Sequence, residues 1–367
     1  MHEGPLAIGS DTIASVRIRG GGSAANTAAW LAAAGCPVLF TGVAGDDEPG
    51  EARVAELHAA GVTTSVRRAP GAPTGTVVVL TSDAERTMFT DRGANRLLAP
   101  ADVDRALNTP GVYHLHLSAY VLFDPDCAPA GRYALAEARR RGLTTSLDAA
   151  SAAPLERLGA GAFLAAIPRP GILFANLDEA RVLATPPPSP ATPRTTPSPS
   201  TTPSPATPRA TPSPSTAVPR TTPAPRTTLV PEAAAAPEAA AGPEGTAGRE
   251  AAAGREGTAE REGTAEREGT AEETRRLARA LLQYADAAVV KSGADGATWT
   301  DGNEDVHARG VAVPEVIDPT GAGDAFAAGF LAAWLTGQGP AAALRRGNEL
   351  GARAVTQLGG RPEPERP

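Results

Sequence analysis

The run Asp318-Pro-Thr-Gly-Ala-Gly-Asp324 is the stretch of this chain whose residue types and spacing best suit chemistry. Gly321 and Gly323 let the backbone come close to a ligand, and unpaired N–H groups where a helix begins attract an anion, aided by the helix dipole. Phe326, Phe330 and Trp334 follow at intervals of four, so one face of that helix is buried and its start is held rigidly. A carboxylate at this mouth, Asp324, would take a proton from a hydroxyl attacking a bound phosphate. Positioning, charge neutralisation and a base are what phosphoryl transfer requires. The same seven residues also fit a glycine turn in which Asp324 only caps the helix.

Gly20 to Gly22 and Asn26 form a second candidate group. Glycines let the chain approach a polyol closely, and a side-chain amide both donates to and accepts from hydroxyls; the plain alternative is a flexible turn followed by a solvent-facing helical residue. His114 and His116 alternate along a strand and share one face, but no third ligand stands at suitable spacing, so strand packing is preferred to metal binding. Asp148 follows a strand, where it either orients a site or caps a loop. Lys291 is the only lysine among 34 Lys and Arg residues. It invites a phosphate contact, yet the chain direction equally allows it to face solvent, and it is not counted with the catalytic residues.

These groups need a scaffold. The pattern predicts a helix over 24–34 closed by Gly35, a strand from Pro37 to Gly42, a helix from Gly50 to Ala60, and a hairpin with strands Thr76 to Leu80 and Arg86 to Thr90. Further strands are expected at Val112 to Leu117, Thr144 to Leu147, Gly171 to Phe174 and Ala287 to Val290. Helices are expected at Ala128 to Arg141, Glu273 to Tyr284 and Asp324 to Leu335. Helices alternating with buried strands imply a parallel sheet covered on both faces.

The chain has 367 residues, 36 of them proline and half of those between Thr185 and Pro243. That tract of Pro, Thr, Ser and Ala, and the Ala/Glu/Gly stretch after it, cannot bury enough apolar surface to offset the entropy of ordering. Residues 185–272 are therefore expected to be a low-complexity disordered insertion. It divides one large domain into an N-terminal part over 1–184, with the substrate and lid elements, and a C-terminal part over 273–367, with the nucleotide site and catalytic base. A formal charge of -7 argues against a nucleic-acid partner. Cys36 and Cys127 are too few for a disulfide framework and read as reduced core residues. Arg17 and Arg19 before Ala24 to Gly35 imitate a signal peptide, but Asn26 and Thr27 interrupt the run and Pro37 follows it. No apolar run is long enough for a membrane span, so a cytoplasmic protein without a membrane partner is expected.

Four segments, in order and spacing, resemble the PfkB (ribokinase-like) family of carbohydrate and nucleoside kinases. Asp318 to Asp324 resembles its C-terminal signature, and Gly21-Gly-Ser-Ala-Ala-Asn26 with Gly45-Asp-Asp-Glu-Pro-Gly50 its N-terminal one. Asn176-Leu-Asp-Glu179 is similar to its Asn-x-x-Glu motif, and Lys291-Ser-Gly-Ala-Asp-Gly296 to its nucleotide loop. The resemblance implies an α/β fold, a three-layer α/β/α sandwich with a small β lid formed by the hairpin near Thr76 to Thr90. It implies an ATP-dependent phosphotransferase acting on a hydroxyl of a sugar or sugar-like substrate. A nucleoside kinase, or an impaired homologue that binds sugar or nucleotide, are the alternatives.

By the same resemblance Asp324 would be the base, and Gly321, Ala322 and Gly323 would offer backbone N–H groups to phosphate oxygens. Gly21, Gly22 and Asn26 would contact the sugar. Asn176 would lie near the nucleotide phosphates, Ser292, Gly293 and Gly296 would line the nucleotide site, and Asn348 would lie near the nucleobase. Glu179 would help hold Mg²⁺ through waters, and Asp318 and Thr320 a monovalent cation such as K⁺. Pairing of two chains through the lid is a further expectation.

Two departures stand out. About twenty residues precede Gly21, and Met1-His-Glu-Gly-Pro-Leu-Ala-Ile resembles the segment after the family's first strand, so that strand is expected to be missing. A start assigned too late or a genuine truncation would each account for it and leave a gap or an edge in the sheet. The insertion is the second, and a long surface connection costs little more to close than a short one.

Overall fold

The computed structural model describes residues 15–82, 85–185, 227–231 and 256–363. Most of the expected insertion (186–226 and 232–255) lies outside the described residues. So do residues 1–14, where the missing first strand bears, and residues 83–84 at the hairpin turn.

The first half of the chain runs α1 (Ser23–Ala33), β1 (Val38–Gly45), α2 (Glu48–Ala59), β2 (Thr63–Ala69), the hairpin β3 (Thr76–Ser82) and β4 (Glu85–Asp91), α3 (Pro100–Leu107), β5 (Val112–Ser118) and α4 (Ala128–Arg140). It continues through β6 (Thr144–Asp148), α5 (Ala152–Leu158), α6 (Ala160–Ala166), β7 (Ile172–Asn176) and α7 (Leu177–Ala184). After these come β8 (Thr227–Pro231), α8 (Glu256–Leu281), β9 (Ala287–Lys291), β10 (Ala297–Thr300), β11 (Asp305–Ala308), α9 (Ala322–Trp334) and α10 (Pro340–Val355). Local chemistry sets several boundaries. Asp47 caps α2 by accepting the Gly50 N–H at 2.9 Å, and Gly35 stops the chain after α1 at φ +81.

Nine strands form one sheet in the order β11-β10-β9-β7-β6-β5-β8-β1-β2. From β9 to β2 every neighbouring pair is parallel, while β10 pairs antiparallel with both β9 and β11. Parallel strands need crossover helices, which cover both faces. On one face Leu115, Leu117, Leu147, Leu173 and Val290 pack against α3 to α8. On the other, Phe40, Phe174 and Val289 pack against α1, α9 and α10. The result is the three-layer α/β/α sandwich, and β3 and β4 form a separate two-stranded sheet where the lid is expected.

Two helices are apolar nearly all round because both sides are covered. Ser23 through Leu31 of α1 and Ala325 through Ala333 of α9 are buried throughout. Phe326, Phe330 and Trp334 stack along α9 with ring centroids 6.5 and 5.7 Å apart, as their spacing of four implies. Both cysteines are free, Cys127 buried and Cys36 partly so. Among the described residues no helix is long and apolar enough to cross a membrane.

The structure revises the expectation of a gap. The place between β5 and β1 is taken by β8, drawn from within the insertion, which pairs in register with β1 from Val38↔Thr228 to Thr41↔Pro231 and with β5 at His114↔Thr228 and Leu115↔Leu229. Helix α8 likewise starts inside the insertion, at Glu256, ahead of the expected Glu273.

Candidate active site

The carboxyl ends of the parallel strands line up along one edge, the position where open α/β sheets bind ligands. Ser118, Asp148, Asn176 and Lys291 are the last residues of β5, β6, β7 and β9. Ser118 pairs in register with Asp148, and Asn176 with Lys291. Side chains alternate along strands, so these four share the face that carries Phe174 and Val289, beneath α1 and α9.

Above this edge the N-termini of α1 and α9 meet. Ser23 Oγ donates to Asp324 Oδ1 at 2.8 Å and Asn26 Nδ2 to Asp324 Oδ2 at 2.9 Å. Ser118 Oγ, fully buried, donates to Ser23 Oγ at 3.0 Å and ties the pair to the sheet. Asp324 sits in the first turn of α9, where the helix dipole favours its negative charge. Asn26 Oδ1 is buried and has no partner among the described residues, an acceptor that a ligand hydroxyl beside Asp324 would satisfy. The two expected groups, the substrate glycines with Asn26 and the Asp324 turn, are therefore in contact.

The turn itself is partly spent on its own structure. Gly321 lies at φ +76 as the N-cap of α9, and the Ala322 N–H turns back to Pro319 O at 3.2 Å. Of the three backbone donors expected at this turn, Gly321 and Gly323 are the ones it can offer outward. The C-terminal segment seals the turn from behind. A Cβ on Gly321 would lie 2.6 Å from Gly360 Cα, and one on Gly360 would collide with the Asn26 amide. Trp30 Nε1 donates to Gly360 O at 2.9 Å, and Arg361 donates from Nη2 to Gly21 O at 2.7 Å. Asp318 belongs to the same seam: its Oδ1 accepts the Thr320 N–H at 2.8 Å and its Oδ2 the Gly359 N–H at 2.9 Å.

The expected nucleotide residues gather further along the edge. Asn176 and Glu179 form a closed capping box at the start of α7: Asn176 Oδ1 accepts the Glu179 N–H at 2.9 Å, and Glu179 accepts the Asn176 N–H at 2.9 Å and its Nδ2 at 3.0 Å. Glu179 is fully buried. Ser292 Oγ donates to Gly296 O at 3.0 Å, closing the loop after β9. Gly296, at φ +102, presses on Ala308 and Gly310. Asn348 donates to Ala308 O at 3.0 Å and Arg309 O at 2.9 Å, so Gly296 and Asn348 flank one segment while Gly293, at φ +59, turns the loop.

Three participants escaped the sequence reading. Ser23 lies inside the glycine motif and Ser118 continues the alternation of His114 and His116, so both carried a signal of position, though none of partner. The third is an ion pair: Lys291 is buried, and its Nζ donates to Asp148 Oδ2 at 3.0 Å. Asp148 Oδ1 accepts the Ala150 N–H at 2.9 Å, with Ala150 held at φ +71. Solvent exposure of Lys291 is thus excluded, and Asp148 both caps its loop and pairs. His114 and His116 are buried in strand packing, where Ser146 Oγ bridges His114 Nε2 at 2.9 Å and His116 Nδ1 at 2.8 Å. Burial pushes them down to about 3 and about 4, the neighbouring His116 adding to the effect on His114; at His116 Asp148 opposes and Lys291 reinforces the fall. A groove of about 390 Å³ at the far ends of α1 and α9, beside Cys36 and Arg346, holds none of these groups.

Comparison with known proteins agrees with the fold. A curated relative, the ATP-dependent ribose-1-phosphate kinase of Halopiger xanaduensis, is 33% identical over 174 residues, 47% of this chain and 55% of the relative. The chain thus spans about half the length of the curated relative it matches. The adenosine kinase of Sinorhizobium meliloti superposes with a TM-score of 0.63 at 22% identity, covering 96% of this chain and 82% of that one. A putative ribokinase II from E. coli, in complex with ATP and Mg²⁺, gives 0.62 at 19%, covering 96% and 88%. At such identities the solved structures establish the fold alone. The family model for pfkB carbohydrate kinases matches residues 7–192 and 254–366 and leaves out the middle of the insertion. Carrying that fold and a match over most of its length, the chain belongs to the pfkB family of carbohydrate kinases.

Proposed function

We propose that this protein transfers the γ-phosphate of ATP to a hydroxyl of a sugar or sugar-like substrate in the cytoplasm. The observation that carries the reading is the contact of Ser23 and Asn26 with Asp324 at the mouth of a glycine turn on a helix N-terminus. The acceptor hydroxyl lies against Gly21, Gly22 and Asn26 and donates to Asp324. As the hydroxyl oxygen bonds to phosphorus, Asp324 takes its proton and ADP departs with the bond it loses. The Gly321 and Gly323 N–H groups meet the phosphate oxygens as charge gathers there.

Asn176, Ser292, Gly293, Gly296 and Asn348 hold the nucleotide. Mg²⁺ is bound mostly by phosphates and water, and Glu179, a carboxylate oxygen donor of the kind Mg²⁺ prefers, beside Asn176 at the start of α7, would help hold it through water. When bound it neutralises phosphate charge. Asp318 and Thr320 would border a monovalent cation such as K⁺. The hairpin closes over the substrate, and two copies pair through it, since Val78 and its register partner Phe89 are 51% and 58% exposed.

A coupled assay of ADP release over sugars, sugar phosphates and nucleosides tests this. Turnover of a sugar or sugar phosphate is expected. Turnover of nucleosides alone makes it a nucleoside kinase, and turnover of none, with binding retained, makes it an impaired binding protein.

A further inference from the structure

We propose that Lys291 is a catalytic residue whose ammonium group contacts the γ-phosphate of ATP, and that Asp148 is the positioning residue that aims it. The inference rests on the kinase reading above.

The charge inventory of the edge is lopsided. Asp324, Asp148 and Glu179 bring three carboxylates to the place where a highly charged phosphate would react. Among the described residues Lys291 is the only buried Lys or Arg. Among the described cationic side chains it alone lies inside the fold, where it can offset the transferred charge as phosphoryl transfer demands.

Its position suits the task. Lys291 ends β9, lies beside Asn176 in register and opens the Ser292–Gly296 loop. From there its side chain crosses β7 to reach Asp148 at the end of β6. Asp148 is the register partner of Ser118, one strand spacing of about 4.8 Å away. Ser118 holds Ser23, and Ser23 holds Asp324. The ammonium group thus stands between the nucleotide loop and the base, where the phosphate must pass.

Energetics argue against a purely structural role. A buried ion pair gains little over apolar side chains of the same volume, because desolvation cancels the attraction. Every other residue of the Lys and Arg set in this chain is arginine, so lysine at this one buried point marks a need for a compact, tetrahedral point charge. Its Nζ can hold Asp148 and a phosphate oxygen together, which a planar guanidinium fork fits poorly.

The test uses the full chain, Lys291→Met, and the double variant Lys291→Met/Asp148→Asn, which removes both charges and so repairs the instability the single change creates. Thermal unfolding identifies folded protein, calorimetry gives Kd for ATP and for ADP, and ADP release gives kcat. For the folded double variant we expect kcat about 100-fold below the parent and ATP affinity reduced about tenfold, with ADP affinity within twofold. A double variant that keeps the parent's kcat and ATP affinity, or that loses ATP and ADP equally, overturns the proposal. Failure of the parent to turn over any acceptor sinks the kinase reading instead, and the ATP-to-ADP comparison still decides the role of Lys291.

Discussion

Ser23 Oγ donates to Asp324 Oδ1 at 2.8 Å although 301 positions separate the two residues. The bond joins the N-terminus of α1 to that of α9, so the proposed acceptor loop and the proposed base keep one geometry. Replacing Asp324 by Asn keeps the hydrogen-bonding shape but removes the base, and should lower kcat about 10³-fold. Ser23→Ala removes the hydrogen bond to Asp324, worth about 1 kcal/mol, along with the one accepted from Ser118, and the loss at Asp324 should lower kcat only about fivefold. ADP release at saturating ATP checks both; equal losses would mean that Asp324 does no more than Ser23.

Gly360 stands where a Cβ would collide with the Asn26 amide. Gly360→Ala must push Asn26 off Asp324 or lift the C-terminal segment. A displacement of about 1 Å at a reacting group costs up to about 100-fold, so kcat/KM for the acceptor should fall between about tenfold and 100-fold. Initial-rate kinetics with the acceptor varied will show it.

Acid should weaken the fold through His114 and His116. Burial depresses both to about 3 and about 4, so the unfolded chain takes up protons below about pH 6.5 that the folded chain refuses. Stability should therefore fall as pH drops from about 6.5 toward 4, by up to about 1.4 kcal/mol per pH unit for each histidine. Urea unfolding at pH 7, 6 and 5 measures the slope. A His114→Asn/His116→Asn variant should flatten it.

Strand β8 pairs on both sides, Leu229 with Leu39 and with Leu115. In such a strand every N–H points at a neighbour, so proline removes a ladder bond and clashes. Leu229→Pro should cost at least about 2 kcal/mol, read as a lower urea midpoint. An unchanged midpoint would show that the segment adds nothing to the sheet.

Legibility in the sequence tracks the range of the interactions. The Asp318 to Asp324 turn, the spacing of Phe326, Phe330 and Trp334, the Gly35 stop and the hairpin near Thr76 to Thr90 are set by neighbours within a few residues, and the chain states them directly. The alternation of His114 and His116 placed both on one face, and the structure buries them there. The Lys291–Asp148 pair spans 143 positions and Ser118–Ser23 spans 95, so each depends on strand order that no local pattern encodes. Strand β8 was hidden for a further reason. Thr227 to Pro231 lies in a Pro- and Thr-rich tract whose composition speaks for the whole stretch, and only two flanking strands give it a role.

The placement of β8 also imposes an order on biosynthesis. Emerging from the ribosome N-terminus first, β1, β2 and β5 to β7 are all made before the segment that joins β1 to β5. Until residue 231 has left the exit tunnel, the nascent chain holds two partial sheets with facing, unsatisfied rims, the state most open to mispairing with another nascent chain. Completion of the sheet is then a late, long-range event, and chaperone dependence during synthesis should exceed that of a kinase whose strands are laid down in spatial succession.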